Sequence, residues 1–147
     1  MPSNFIYSAF ITPTPPPERR IVARINESYL DQDGNLVQTD RTYAVPEIDV
    51  QLPAFYGGEK VYGEGIQTII ALLEEFQHRQ LAVDTVRIYN DQYMELYLSA
   101  GITVIVNSSA DSYELGSLLQ SMIAVFTLEH SFPSVIDFRF EKPVLRN

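Results

Sequence analysis

The spacing of apolar residues changes along the chain, and each change marks a new element. Ile21, Ala23 and Ile25 alternate, which predicts a strand within RIVARI from Arg20. In SYLDQDGNLVQ two short apolar runs flank Asp33-Gly34, a pair suited to the positive φ of a tight turn, so this segment reads as a hairpin. Residues Tyr43 to Gly65 lose all periodicity around Pro46, Pro53 and Gly57-Gly58, leaving an irregular crossing with one short strand near Ile48 to Leu52. From about Gly65 to Arg79 the period becomes helical, with Ile66, Ile69, Ile70, Leu73 and Phe76 on one stripe and Glu74, Glu75 and Gln77 facing away.

The period then falls to two. Val86 and Ile88 pair in TVRIY. Met94, Leu96 and Leu98 oppose Tyr93, Glu95 and Tyr97 in YMELYL, and ITVIV follows. With Asn90-Asp91 and Ala100-Gly101 as turns, these runs predict a three-strand antiparallel meander. A second helix is expected from about Asp111 to Glu129. Asp111 and Glu114 open it in the manner of a capping box, and its stripe is Leu115, Leu118, Leu119, Met122, Val125 and Phe126. Gly116 interrupts that stripe and suggests close approach to a sheet. Phe132-Pro133 ends the helix, and VIDFRF, Val135 to Phe140, reads as the closing strand with almost no chain left to cover it.

This order gives an α+β fold: a mixed or antiparallel sheet with two helices packed on one face. The expected core holds Ile69, Leu73, Leu118, Met122, Ile88, Leu96 and Val104. Residues 1–19 read as a proline-rich lead-in, because TPTPPPE places four prolines in seven residues, and residues 20–147 as the domain. A docking site for a proline-reading domain is the sharper alternative for that lead-in. FIYSAFI within it is apolar enough to be a strand.

Composition narrows the function. A chain of 147 residues, 46% of them hydrophobic, suits one domain with its own core. The formal net charge of −9 disfavours nucleic acid and anionic membrane surfaces. There is no cysteine, so disulfides, thiolate metal sites and cysteine nucleophiles are excluded. No apolar run approaches the length of about 20 residues that a membrane helix needs.

Candidate chemistry is sparse. DQDGN fails as a calcium loop, because a loop opening at Asp31 would need glycine at Leu36 and glutamate at Thr42. His78 and His130 have no partner at metal-ligand spacing. Glu74 and Glu75 are adjacent on a helix and diverge, unlike paired catalytic carboxylates. No catalytic residue, metal site or cofactor is indicated. Tyr89, Tyr93, Tyr97 and Tyr113 suggest an aromatic surface. It is read either as a sheet face partly covered by rings, or as the working surface of a small ligand-binding or hydrolytic α+β domain.

Taken in order, YLDQDGNLV, VPEIDVQLPAFYG, an Ile/Leu-rich helix, VRIYNDQYMELYLSAGITVIVN, YELGSLLQSMI and VIDFRF resemble the C-terminal β domain of the bacterial cell-division family FtsQ/DivIB. The resemblance spans about residues 20–143. It implies a non-enzymatic scaffold at the division septum, on the extracytoplasmic side of the cytoplasmic membrane. It also implies coiled-coil partners of the FtsL/FtsB (DivIC) type, bound by strand addition at the C-terminal edge. By position, the implied contact residues are Asp137, Arg139, Phe140 and Glu141. Family members carry a cytoplasmic tail, a membrane helix and a small POTRA domain ahead of this one. Membrane attachment is thus expected only through an N-terminal anchor that is not among these residues. Apart from the resemblance, alternating charges on a terminal strand have a simpler use, which is to keep the edge soluble.

Overall fold

A computed structural model describes residues 19–50, 56–57, 60–61, 63–89 and 93–147. Residues 1–18 of the proline-rich lead-in, with FIYSAFI, and the Asn90-Asp91 turn lie outside the described residues. The chain runs β1 (Ile21–Ile25), β2 (Ser28–Asp31), β3 (Leu36–Val37), β4 (Glu47–Val50), β5 (Tyr56–Gly57), β6 (Lys60–Val61), α1 (Glu64–His78), β7 (Val83–Ile88), β8 (Met94–Leu98), β9 (Thr103–Val106), α2 (Ser112–Glu129), β10 (Val135–Asp137) and β11 (Val144–Arg146). Nine strands form one mixed sheet in the order β11-β10-β9-β8-β7-β4-β1-β2-β3, while β5 and β6 pair separately.

Connection length explains the mixture. Tight turns join β1 to β2, β2 to β3 and β8 to β9, and these pairs are antiparallel, as is β7 with β8. Parallel pairs need longer crossovers. β4 and β7 are joined through α1, β9 and β10 through α2, and both pairs are parallel, as is β1 with β4. The short strand foreseen in the irregular crossing is therefore a central member of the sheet, not an accessory to it.

The turn chemistry follows the sequence. Gly34 has φ 86°, the conformation that Asp33-Gly34 was expected to supply. The Asp31 carboxylate accepts from the amides of Asp33 and Asn35, both at 2.9 Å, so the aspartate-rich run organises a turn. Asn26, with φ 55°, serves the β1–β2 turn.

One core joins the sheet to both helices. Ile66, Ile69, Leu72 and Phe76 of α1 are fully buried against Ile25, Val86, Ile88, Leu96, Val104 and Ile136. α2 packs beside α1 and buries Leu115, Gly116, Leu119 and Phe126. Here the structure corrects two expectations. Leu118 and Val125 are 43% and 48% exposed, because α2 meets the rest of the protein along a narrow strip. Gly116 makes its close approach to α1, not to the sheet. A Cβ there would stand 2.9 Å from Glu75 Cγ and 3.0 Å from Arg79 Nε.

The end of the chain differs most from its reading. The strand expected over Val135 to Phe140 stops at Asp137 and is not the edge. Lys142-Pro143 turns the chain back, and Val144–Arg146 pairs antiparallel with β10 as β11, the last strand of the sheet. β10 is thus enclosed between β9 and β11. The alternating charges of VIDFRF, Asp137 and Arg139, pair with each other, and Arg146 joins them from β11, so they belong to one ion cluster and not to a protected edge.

Candidate functional site

Cross-strand register sets the chemistry of the sheet face opposite the core. Met94, Leu96 and Leu98 point inward, so Tyr93, Glu95 and Tyr97 project outward. Arg87 on β7 lies opposite Glu95, and Asp49 on β4 lies opposite Arg87. On the other side Ile105 lies opposite both Glu95 and Asp137, and Asp137 opposite Val144. One transverse row therefore carries Asp49, Arg87, Glu95, Ile105, Asp137 and Val144.

Glu95 anchors the middle of this row. Its carboxylate accepts from the hydroxyls of Tyr89 and Tyr97 at 2.8 Å and from that of Tyr93 at 3.1 Å. Burial first, and the neighbouring Glu95 second, push the Tyr93 and Tyr97 phenols above their ordinary range. The Arg87 guanidinium lies 5.7 Å from the Tyr97 ring and its Nε 3.3 Å from Asp49. Three of the four tyrosines expected to share a surface do so. Tyr113 is on α2, where Arg79 covers its ring at 5.1 Å. The tyrosine hydroxyls are engaged with the protein's own carboxylate, which favours the reading of a ring-covered sheet face.

Asp137 anchors the end of the row. It is fully buried and accepts from Arg139 three times, from the backbone amide at 3.0 Å, Nε at 2.9 Å and Nη2 at 2.7 Å. Arg146 Nη2 of β11 adds a fourth contact at 2.7 Å. The Arg139 hydrogen bonds hold the Asp137 carboxyl below its ordinary range against the opposing effect of burial. Arg139 also stacks 4.8 Å from the Tyr93 ring, joining the two anchors into one belt.

Of the four site residues expected from sequence, Asp137 is thus interior, while Arg139, Phe140 and Glu141 are exposed beside β11. The sequence reading missed Val144, Leu145 and Arg146. Val144 and Leu145 are 41% and 48% exposed on the outermost strand. Their only signal was an apolar pair after Lys142-Pro143, too short for a periodicity argument.

The cavity that stands out elsewhere holds about 290 Å³ beside the C-terminal end of α1, between Val22, Val45, Pro46, Leu73, Gln77 and Leu81. Its lining carries no acid or base, so it does not offer the convergent acids a hydrolytic site requires. Among the described residues no helix is long and apolar enough to cross a membrane.

Comparison with known proteins agrees with the end-to-end pattern. No curated protein matches the chain. The family model for the cell division protein FtsQ/DivIB, C-terminal, matches residues 21–139, from the start of β1 to the arginine that closes on Asp137. The chain therefore belongs to the FtsQ/DivIB family through its C-terminal domain, and with it to the proteins of cell division.

Proposed function

We propose that the protein is a non-enzymatic scaffold of the division septum that receives a strand from an FtsL/FtsB (DivIC)-type partner on the outer side of β11. One observation carries this reading: the sheet ends on an exposed strand with two apolar side chains, Val144 and Leu145, and its one charged side chain is turned back onto Asp137. Edge strands that must stay unpaired are usually guarded by free charges, prolines or bulges. β11 is only three residues long and follows Pro143, but within the strand there is no free charge, proline or bulge, and its outward backbone groups form a template for strand addition.

Side chains next to that template would supply specificity. Phe140, 57% exposed, offers an apolar anchor, and Glu141 lies beside it. Arg139 is held by Asp137 with part of its guanidinium still accessible and meets an acidic partner residue. Asp137 acts through the two arginines it positions and does not touch the partner. Such a partner works outside the cytoplasmic membrane, so the proposal also places this domain on the extracytoplasmic side.

Titration with a synthetic C-terminal segment of an FtsB-type protein tests the proposal. Phe140→Ala, Val144→Asp and Leu145→Asp should each weaken binding by about tenfold or more with an unchanged circular dichroism spectrum, since interface anchors commonly contribute about 2 kcal/mol or more. Parent-like affinity in all three folded variants would remove β11 and its neighbours from the binding surface.

A further inference from the structure

α2 buries only one side of its circumference. On the other side Leu118, Val125 and Leu128 are 43%, 48% and 80% exposed, and Phe132, just past the helix, is 47% exposed. With exposed Ser121, the positions on the helix stand at 118, 121, 125 and 128, and Phe132 follows beyond the left-handed turn at His130. Steps of three and four in alternation form the seam by which one helix packs on another. Over the fourteen residues Leu115 to Leu128 there is no charged side chain, although 20% of the chain is charged. A helix face meant for water normally carries charge.

The polar groups near the seam are already satisfied. Ser121 Oγ donates to the Ser117 carbonyl at 3.1 Å, and Thr127 Oγ1 to the Ile123 carbonyl at 2.8 Å. Hydroxyls bonded within their own helix lose little when water is removed. The far end of the seam is fixed to the core. His130, in the left-handed conformation, lets the Ser131 amide donate to the Phe126 carbonyl, and Phe132 meets the ring of buried Phe126 at 6.2 Å.

Charge at the two ends selects the occupant. Asp111 and Glu114 stand at the N-terminal end, Glu129 at the C-terminal end, and no Lys or Arg lies between. Arg79, which packs beside α2, is engaged by Glu75, Gln120 and the Tyr113 ring. A second copy would set acid against acid in either helix direction, and an anionic lipid surface would be repelled as well. We propose that this face of α2 docks a helix of a partner protein, one with apolar residues at three-and-four spacing and basic residues at both ends. This surface is separate from β11 and does not depend on the strand-addition proposal.

The probes are two synthetic amphipathic helices of about 20 residues, long enough to hold helical structure, with the same leucine seam and either lysine or glutamate at both ends. Fluorescence anisotropy with the full chain should show the lysine-flanked helix binding about tenfold or more tightly than the glutamate-flanked one, a difference of about 1.4 kcal/mol. Val125→Asp should abolish that preference. Leu128→Ser, a milder change at an 80% exposed position, should weaken it severalfold. Phe140→Ala at the sheet edge should leave it unchanged. Equal affinity for the two helices, or no response to Val125→Asp and Leu128→Ser, would overturn the proposal. A chain dimer in sedimentation that Val125→Asp dissociates would assign the face to a second copy instead. Val125-dependent binding to phosphatidylglycerol vesicles, without helix binding, would assign it to lipid. Either result overturns the proposal.

Discussion

Each end of the sheet is tied down by a buried aspartate, and the two ties are built differently. Asp31, 2% exposed, sits where β2 ends beside the edge strand β3. Its partners are mostly local, namely the amides of Asp33 and Asn35 and the Asn35 side chain within its own turn, with Arg19 reaching it at 3.3 Å. Asp137, fully buried, sits where β10 ends beside the edge strand β11. Apart from one amide its partners are guanidinium groups, from Arg139 and from Arg146 on the edge strand itself. Backbone donors in a tight turn have nowhere else to go. Arginine side chains that are 34% and 52% exposed remain open to water or a partner on their far side. One tie closes a hairpin, while the other secures an edge and presents cations beside it.

Removing both guanidiniums should break the second tie completely. Arg139→Ala with Arg146→Ala leaves Asp137 buried with only one amide, and stripping the partners from a buried charge typically costs about 3–5 kcal/mol. Urea unfolding should show a loss in that range, and adding Asp137→Asn should restore much of it. If the double variant unfolds at the parent's urea midpoint, Asp137 is hydrated in solution and the tie is not structural.

The two ties were unequally legible in the sequence. Asp31 belongs to DQDGN, where Asp33-Gly34 announces a turn and local chemistry decides the structure, so hairpin and glycine conformation both followed. The helix stripe of α1 and the meander were equally plain, because each repeats a period over many residues. Asp137 pairs with Arg146 nine positions on, across a three-residue strand that no periodicity argument can detect. The edge was accordingly placed one strand too early. α2 failed for a related reason. Apolar residues cover most of its surface, so the sequence could not say which of Leu118, Leu119, Met122, Val125 and Phe126 face inward; packing against α1 at Gly116 decides that.

Cutting the first tie should cost less than emptying the second. Asp31→Ala leaves the amides of Asp33 and Asn35 without their acceptor, and unsatisfied donors of this kind cost about 1–3 kcal/mol. The damage should stay local. Hydrogen exchange should accelerate at Leu30 and at Leu36–Val37, with exchange at Val135–Asp137 unchanged. Faster exchange at both ends of the sheet would show that the two ties are energetically coupled.

Acid should act on the Asp137 end with a definite sign. Its folded carboxyl titrates below the ordinary value, so at low pH the unfolded chain binds a proton before the folded one does. The stabilisation is complete above the unfolded pKa of about 4 and is lost as pH falls through the lower folded value. Asp137→Asn should flatten the decline in urea midpoint below about pH 4 relative to the parent. Parallel declines in the two proteins would assign acid sensitivity to other carboxylates.

The smallest global effect is expected from Arg146→Ala alone. Asp137 keeps its three contacts with Arg139, and Arg146 is half exposed, so the lost ion pair should cost only about 0–1 kcal/mol. Locally the change should be much larger. All three residues of β11 are exposed, so the strand holds no core side chain, and Arg146 is its one side-chain tie to the sheet. The remaining attachment is the short ladder to β10 and the Ser134 amide donating to the Arg146 carbonyl at 2.9 Å. Hydrogen exchange at Val144–Arg146 should therefore quicken by an order of magnitude or more while Leu30 and Leu36–Val37 stay as protected as in the parent. An ordered edge is a better template than a fraying one, so the same variant should bind an added strand more weakly despite its nearly unchanged stability. If exchange at β11 does not respond, the ladder alone orders the edge, and Asp137 serves only to aim Arg139.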